Sequence, residues 1–225
     1  MDVDLLWSKN RYILKTPLIL VTTAVILALT TACSSSKNPL RKTVKLLQKG
    51  KLRDDTSYVY DLPFEKGKKY FLVQGYFSHL SHKERAALDF KMKRGTNICA
   101  ARGGVVVRVK EDGDRGGWNS KYRQFGNNIV IQHDDGSRAG YWHLQKDGAL
   151  VNVGDTVTKG QVIALSGKTG YAFLPHLHFL VWTFDSNNRW QQVPTRFRTS
   201  KGIKYLRSWK KYKSPEEPEQ NPTDH

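Results

Sequence analysis

Between about Tyr58 and Pro194 the chain falls into short apolar runs separated by turn residues, the pattern of an all-β domain. The runs that read as strands are Tyr70–Val73, Gly104–Val109, Asn128–His133, Ala139–His143, Val162–Ser166 and Leu177–Thr183. Asp134-Asp135-Gly136 lies between two of them and reads as a hairpin turn. Gly154-Asp155 and Lys159-Gly160 mark two more turns. No run in this region predicts a helix of normal length. About 130 residues of short strands can enclose a core of their own, as a β-sandwich or barrel-like domain.

The alternation becomes chemically informative at Pro175-His176-Leu177-His178-Phe179. Side chains two apart on a strand share a face, so His176, His178 and Leu180 point one way and Leu177, Phe179 and Val181 point into a core. Two imidazoles on a rigid face suit zinc or a neighbouring metal. By themselves they are only a pair, since a tetrahedral catalytic zinc site takes three protein ligands and leaves one position open. Tyr141-Trp142-His143-Leu144 supplies another histidine, and Ser78-His79-Leu80-Ser81-His82 supplies two. An acid ligand is expected beside them. Asp89, in Ala86-Ala87-Leu88-Asp89-Phe90, is a carboxylate among apolar residues, where an unpaired charge is costly and a metal would offset the cost.

Charge and the flanks set the compartment. The 225 residues carry a formal net charge of +17, from 37 Lys and Arg against 20 Asp and Glu. Such a balance favours anionic partners: nucleic acid, anionic lipid or a charged wall polymer. Lys9, Arg11 and Lys15 precede an uncharged, mostly apolar run over residues 16–32, the arrangement of a secretory signal or membrane anchor. Leu29-Thr30-Thr31-Ala32-Cys33, followed by Ser34-Ser35-Ser36, resembles a bacterial lipoprotein cleavage site, with lipidation expected at Cys33. Each of these readings places the rest of the chain outside the cytoplasm, in the cell envelope. Cys99 is then left without a partner in an apolar stretch, and reads as a buried small hydrophobe.

The expected organisation is a signal or anchor over 1–33, a basic tether over 34–57 with a short amphipathic helix near Val44, the β domain over 58–194, a basic aromatic extension over 195–213 and a disordered tail over 214–225. The extension interleaves Lys and Arg with Phe197, Tyr205, Trp209 and Tyr212. That composition suits an anionic envelope surface. It also suits nucleic acid, which an exported chain is less placed to meet. Packing of the aromatics onto the domain is the plain structural alternative.

An ordered set of motifs now becomes specific. Ser78-His79 leads to Ala87-Leu88-Asp89-Phe90. Gly95-Thr96, Ala100-Ala101-Arg102, Gly104-Val105-Val106 and Gly126-Asn127-Asn128-Ile129-Val130-Ile131 follow. Then come Tyr141-Trp142-His143-Leu144, Val153-Gly154-Asp155, Lys159-Gly160-Gln161-Val162-Ile163, Ser166-Gly167, Thr169-Gly170 and the His-x-His phrase. From about residue 60 to 182 the chain resembles the lysostaphin-like (LytM-type) zinc metallopeptidases, which cut peptide bonds in bacterial peptidoglycan. The resemblance implies an antiparallel β fold with its site in a groove over the sheet. It implies Zn2+ on His79, Asp89 and His178, catalytic roles for His143 and His176, and the peptide part of peptidoglycan as substrate. The first histidine is more usually four residues before the aspartate. Here the gap is ten from His79 or seven from His82, and the Ser-His phrase favours His79. Competing readings are a non-catalytic wall-binding or hydrolase-activating module of the same fold, a lipoyl-type carrier suggested by residues 153–163, and a nucleic-acid module in the basic extension.

Overall fold

The computed structural model describes residues 36–216. A short helix α1 (Leu40–Gln48) comes first, then β1 (Val59–Asp61), β2 (Lys69–Gln74), β3 (Ala87–Lys91), β4 (Asn97–Cys99), β5 (Gly104–Lys110), β6 (Gly116–Gly117) and a 3-10 turn at Ser120–Phe125. There follow β7 (Asn128–Gln132), β8 (Arg138–Trp142), β9 (Leu144–Ala149), β10 (Thr156–Val157), β11 (Val162–Ser166) and β12 (Gly170–Tyr171). The last strands are β13 (His176–Phe184), β14 (Trp190–Gln192), β15 (Arg196–Thr199), β16 (Gly202–Lys204) and β17 (Lys210–Lys213). The fold is all-β apart from α1 and the 3-10 turn.

The principal sheet has nine strands, in the order β10-β5-β7-β8-β13-β3-β2-β17, with β14 extending β13 where β3 has ended. Every neighbouring pair in it is antiparallel. The hairpin turn falls at Asp134-Asp135-Gly136, where Gly136 takes the positive φ of 78° that such a turn requires. Arg102, itself buried, pairs with both aspartates of that turn and so ties it down.

The alternation along β13 is as the sequence predicts. Leu177, Phe179 and Val181 lie in the core with Leu88 and Phe90 of β3, Ile129 and Ile131 of β7 and Tyr141 of β8. Ile98 of β4, Ile163 and Ala164 of β11 and Leu144 of β9 complete the same cluster, so the three-stranded sheet β4-β11-β9 shares the core of the large one. Each fully buried Leu, Ile or Phe contributes about 1.5–3 kcal/mol relative to an exposed one. Tyr141, fully buried, accepts the Ala101 N–H on its hydroxyl at 2.8 Å and meets the Phe179 ring edge-on.

Both flanking boundaries are corrected. The segment over 195–213 is part of the domain: β17 pairs with β2 along the edge of the principal sheet, β15 pairs with β1, and Phe197, Leu206 and Tyr212 enter the core. Its aromatics alternate with basic residues because one face of each strand is buried. The basic segment before residue 58 is likewise docked. Val44 of α1 is buried in the core, Gln48 donates to the Leu206 carbonyl at 2.6 Å, and the Arg196 guanidinium holds the Asp54 and Ser57 carbonyls. Ser214 is buried and its N–H donates to the Lys68 carbonyl at 2.9 Å. The expected signal or anchor over 1–33, with Cys33, lies outside the described residues, as do residues 217–225 of the tail. Among the described residues, no helix is long and apolar enough to cross a membrane.

Candidate metal centre

Strand register assembles the site. Gln74 of β2 lies opposite Asp89 of β3, Asp89 opposite His178 of β13, His178 opposite Trp142 of β8, and Trp142 opposite Asn128 of β7. Directly opposed residues share a face, so one transverse row carries the chemistry while Leu88 and Phe90 beside Asp89, Leu177 and Phe179 beside His178, Tyr141 beside Trp142 and Ile129 beside Asn128 face the core. A bulge between Leu72 and Gln74 brings Gln74 into this row.

Three donor atoms converge on the row. His178 Nδ1 is 2.7 Å from Asp89 Oδ1, His82 Nε2 is 3.2 Å from the same oxygen, and His82 Nε2 is 3.2 Å from His178 Nδ1. A tetrahedral ion with ligands at 2.0–2.1 Å requires donor separations of about 3.3 Å, so the triangle has the size and the nitrogen and oxygen chemistry that zinc takes. Burial alone would raise the Asp89 carboxyl, but His82, His176 and His178 hold it well below the usual carboxylate range. Burial pushes the His178 imidazole down, against the pull of Asp89. An ionised carboxylate beside a His178 imidazole biased toward its neutral form is the state a cation needs of these two ligands.

The preference for His79 is corrected here. His79 is exposed, near the tip of the loop after β2, whereas His82 is 1 % exposed and lies against Asp89. Gln74 explains the difference. Its amide oxygen accepts the Ser81 N–H at 3.0 Å and its Nε2 donates to Ser81 Oγ at 2.9 Å and to Asp89 Oδ2 at 2.7 Å. Gripping Ser81 places the next residue, His82, over the carboxylate. The Arg85 N–H to His82 O and Phe77 N–H to Arg85 O bonds close the loop behind it.

His143 and His176 stand beside the triangle, with ring centroids 4.6 Å apart. His143 Nδ1 lies 2.7 Å from the Thr169 carbonyl and His176 Nδ1 lies 2.7 Å from the Leu174 carbonyl. A carbonyl only accepts, so Nδ1 carries the proton in each ring and Nε2 keeps its lone pair while the ring is neutral. His176 Nε2 is 3.6 Å from Asp89 Oδ1. Burial, with His176 and His178 adding to it, pushes the His143 imidazole down to about 3. His143 also holds a positive φ of 66°, between β8 and β9. Such backbone costs of order 1–3 kcal/mol for a residue other than glycine and recurs at functional positions.

The site opens into a groove of about 1010 Å³ whose lining includes His82, Asp89, His143, His176 and His178 together with Trp118, Tyr171, Phe173, Trp142, Trp182 and Trp190. Trp118 and Phe173, both largely exposed, stack with centroids 5.2 Å apart.

Two contributors were not assigned from the sequence. Gln74 gave no signal beyond a polar residue ending an apolar run. Thr169 lies in a quoted phrase, yet only the fold shows its carbonyl on His143 and its hydroxyl bridging the Asn127 N–H and the Leu144 carbonyl. His133 is buried, lies 2.8 Å from the Gly103 carbonyl through Nδ1 and meets Tyr60 edge-on. Cys99 is buried and unpaired, and burial pushes its thiol up to about 11.

These features define an all-β protein with a His/Asp/His metal-binding geometry and two further imidazoles in an open groove. Comparison with known proteins makes the class specific. Residues 83–192 match the model of Peptidase family M23, so the chain carries an M23 domain of the lysostaphin type. It is 39% identical over 116 residues to glycyl-glycine endopeptidase ALE-1 of Staphylococcus capitis, covering 51% of this chain and 29% of that protein. It is 41% identical over 91 residues to peptidoglycan DD-endopeptidase ShyA of Vibrio cholerae, covering 40% of this chain and 18% of that protein. The chain therefore spans less than a third of the length of either curated relative. The crystallised catalytic domain of lysostaphin from Staphylococcus simulans is 34% identical, with 56% of this chain and 87% of that one covered and a TM-score of 0.40.

Proposed function

We propose that this chain is a zinc metallo-endopeptidase that hydrolyses peptide bonds of bacterial peptidoglycan. It acts in the cell envelope, held there by its N-terminal segment through lipid on Cys33 or as an anchor. The observation that carries the reading is the triangle of His82 Nε2, Asp89 Oδ1 and His178 Nδ1 beside two imidazoles whose Nδ1 protons are already committed to carbonyls. The peptidoglycan endopeptidases among its relatives support the choice of substrate.

His82, Asp89 and His178 would hold the ion. Zinc bound there supplies Lewis acidity toward a carbonyl and acidifies water. His143 and His176 do the proton work. Each anchors its ring through Nδ1 and turns Nε2 to the reacting groups, one neutral ring accepting a proton on Nε2 from the attacking water while the other, in its protonated form, donates its Nε2–H to the oxyanion that develops on the scissile carbonyl. The chain has no His-Glu-x-x-His phrase, so a side-chain base is histidine and not glutamate. The open groove admits an extended peptide.

Zinc content and digestion of purified peptidoglycan, measured together on the full chain, test this. Wild type and His79→Ala are expected to bind zinc near stoichiometrically and release new peptide ends. His82→Ala and His178→Ala lose both. His143→Ala and His176→Ala keep zinc and lose turnover by about two to four orders of magnitude. Full zinc with no cleavage by wild type would instead make the domain a hydrolase-activating module.

A further inference from the structure

A second groove, of about 900 Å³, is formed by residues that follow α1 and by strands β16 and β17 with the start of β2. It shares no lining residue with the histidine groove. Ten of its lining residues are Lys or Arg and two are Asp. The two acids leave eight cations in excess in the lining. Asp54 accepts from the Ser57 and Tyr205 hydroxyls, on the loop that Arg196 also ties down. By contrast, Lys69, Lys201, Lys204, Arg207, Lys210 and Lys211 are exposed and form no ion pair among the described residues. The strands that carry them are fixed by core residues: Phe197, Leu206 and Tyr212 anchor the segment from below. A rigid scaffold therefore holds like charges together around a cleft, an arrangement that costs self-repulsion and is relieved by an anion.

We infer that this groove binds a flexible linear polyanion with closely spaced phosphate groups. Concavity decides against a membrane surface. A bilayer presents a plane of headgroups and reaches only the rims of a cleft, whereas a thread of phosphates can lie along the floor and meet cations on both walls. The inference does not depend on the peptidase reading, because the two grooves are built from different residues.

The test is binding of sodium polyphosphate to the full chain in mild detergent, followed by calorimetry across a salt series. Engagement of six cations gives a slope of log K against log salt of about −4 on the single-strand scale. The triple variant Lys204→Gln, Lys210→Gln, Lys211→Gln is expected to halve that slope. A second triple variant, Lys93→Gln, Lys121→Gln, Lys146→Gln, removes the same charge from exposed positions outside both grooves and is expected to leave it unchanged. Circular dichroism confirms that both variants fold. Equal weakening by the two variants would overturn the inference in favour of general attraction to a basic protein. Loss of binding to anionic vesicles in the first variant with polyphosphate binding intact would overturn it in favour of a membrane face. Absence of polyphosphate binding in the wild type would overturn it outright. A His178→Ala chain is expected to bind polyphosphate as wild type does, which separates this outcome from any failure of the metal site.

Discussion

Replacing Thr169 by Val removes one hydroxyl and keeps the shape of the side chain. In the native fold that hydroxyl accepts the Asn127 N–H at 3.0 Å and donates to the Leu144 carbonyl at 2.7 Å. Asn127 is fully buried, so its N–H has no water to turn to once the oxygen is gone. A buried donor left unsatisfied costs about 1–3 kcal/mol. For a domain of this size about 2 kcal/mol lowers the melting temperature by about 4–8 °C. The functional effect follows from the same bonds. Leu144 follows His143, and the Thr169 carbonyl receives the His143 Nδ1 proton, so a shift of residue 169 tilts the imidazole from both sides. Turnover on peptidoglycan is expected to fall at least about tenfold, which needs only some 1.4 kcal/mol of lost alignment. Zinc content should stay at the wild-type level, since none of the three converging donors touches Thr169. Thr169→Ser retains the hydroxyl and should recover most of the activity. Thermal denaturation, metal analysis and digestion assays on the three proteins decide the matter. A Thr169→Val protein that melts with wild type and cuts at the wild-type rate would refute the reasoning.

Three further outcomes are expected. His143, held near 3 by burial against an ordinary value of 6.5, takes up its proton far more readily in the unfolded chain. Its neutral burial is therefore free of penalty above about pH 6.5, and stability is lost as the pH falls from there toward 3, by at most about 5 kcal/mol. His143→Asn, which tolerates the positive φ, should flatten urea-melt stability against pH in that window, and identical slopes would count against the burial argument. Gly140→Ala should lower kcat/KM with little change in zinc content, because the added Cβ would lie 2.0 Å from the Trp142 ring and force that ring to move within the groove. Gln74→Leu should weaken zinc binding by about 10–100-fold, as loss of a partner to a ligating carboxylate does; unchanged affinity in a zinc-competition titration would show that Ser81 and His82 hold their places without it.

Much of the fold was legible because burial follows period two. Along β13 the residues expected to face the core do so, and the two histidines lie on the other face. The strand carrying Asp89 was not marked as one. Ala87–Lys91 is buried at four of its five positions, and a strand covered on both faces leaves no alternation to read. The extension over 195–213 was misplaced for a related reason. Lys and Arg on its exposed face dominate its composition, while Phe197, Leu206 and Tyr212 are spaced too widely to mark a core segment until β2 is seen beside it.

The choice between His79 and His82 shows what local sequence cannot contain. Both lie in one pentapeptide, and nothing within it distinguishes them. The distinction arises at Gln74, whose amide reaches Ser81 on one side and Asp89 on the other. Gln74 can do so only because the bulge after Leu72 restores it to the row that contains Asp89 and His178. Register thus performs two tasks together. A slip of one residue between β3 and β13 would turn Asp89 away from His178, and it would also turn Leu88 and Phe90 out of the core they share with Leu177 and Phe179. The donor triangle is therefore held by the hydrophobic core behind it, and a substitution there that loosens register should cost metal affinity as well as stability. Phe90→Ala is the case to measure: a loss of about 3–5 kcal/mol in folding should be accompanied by weaker zinc binding, although the Phe90 ring lies in the core on the face away from the ligands.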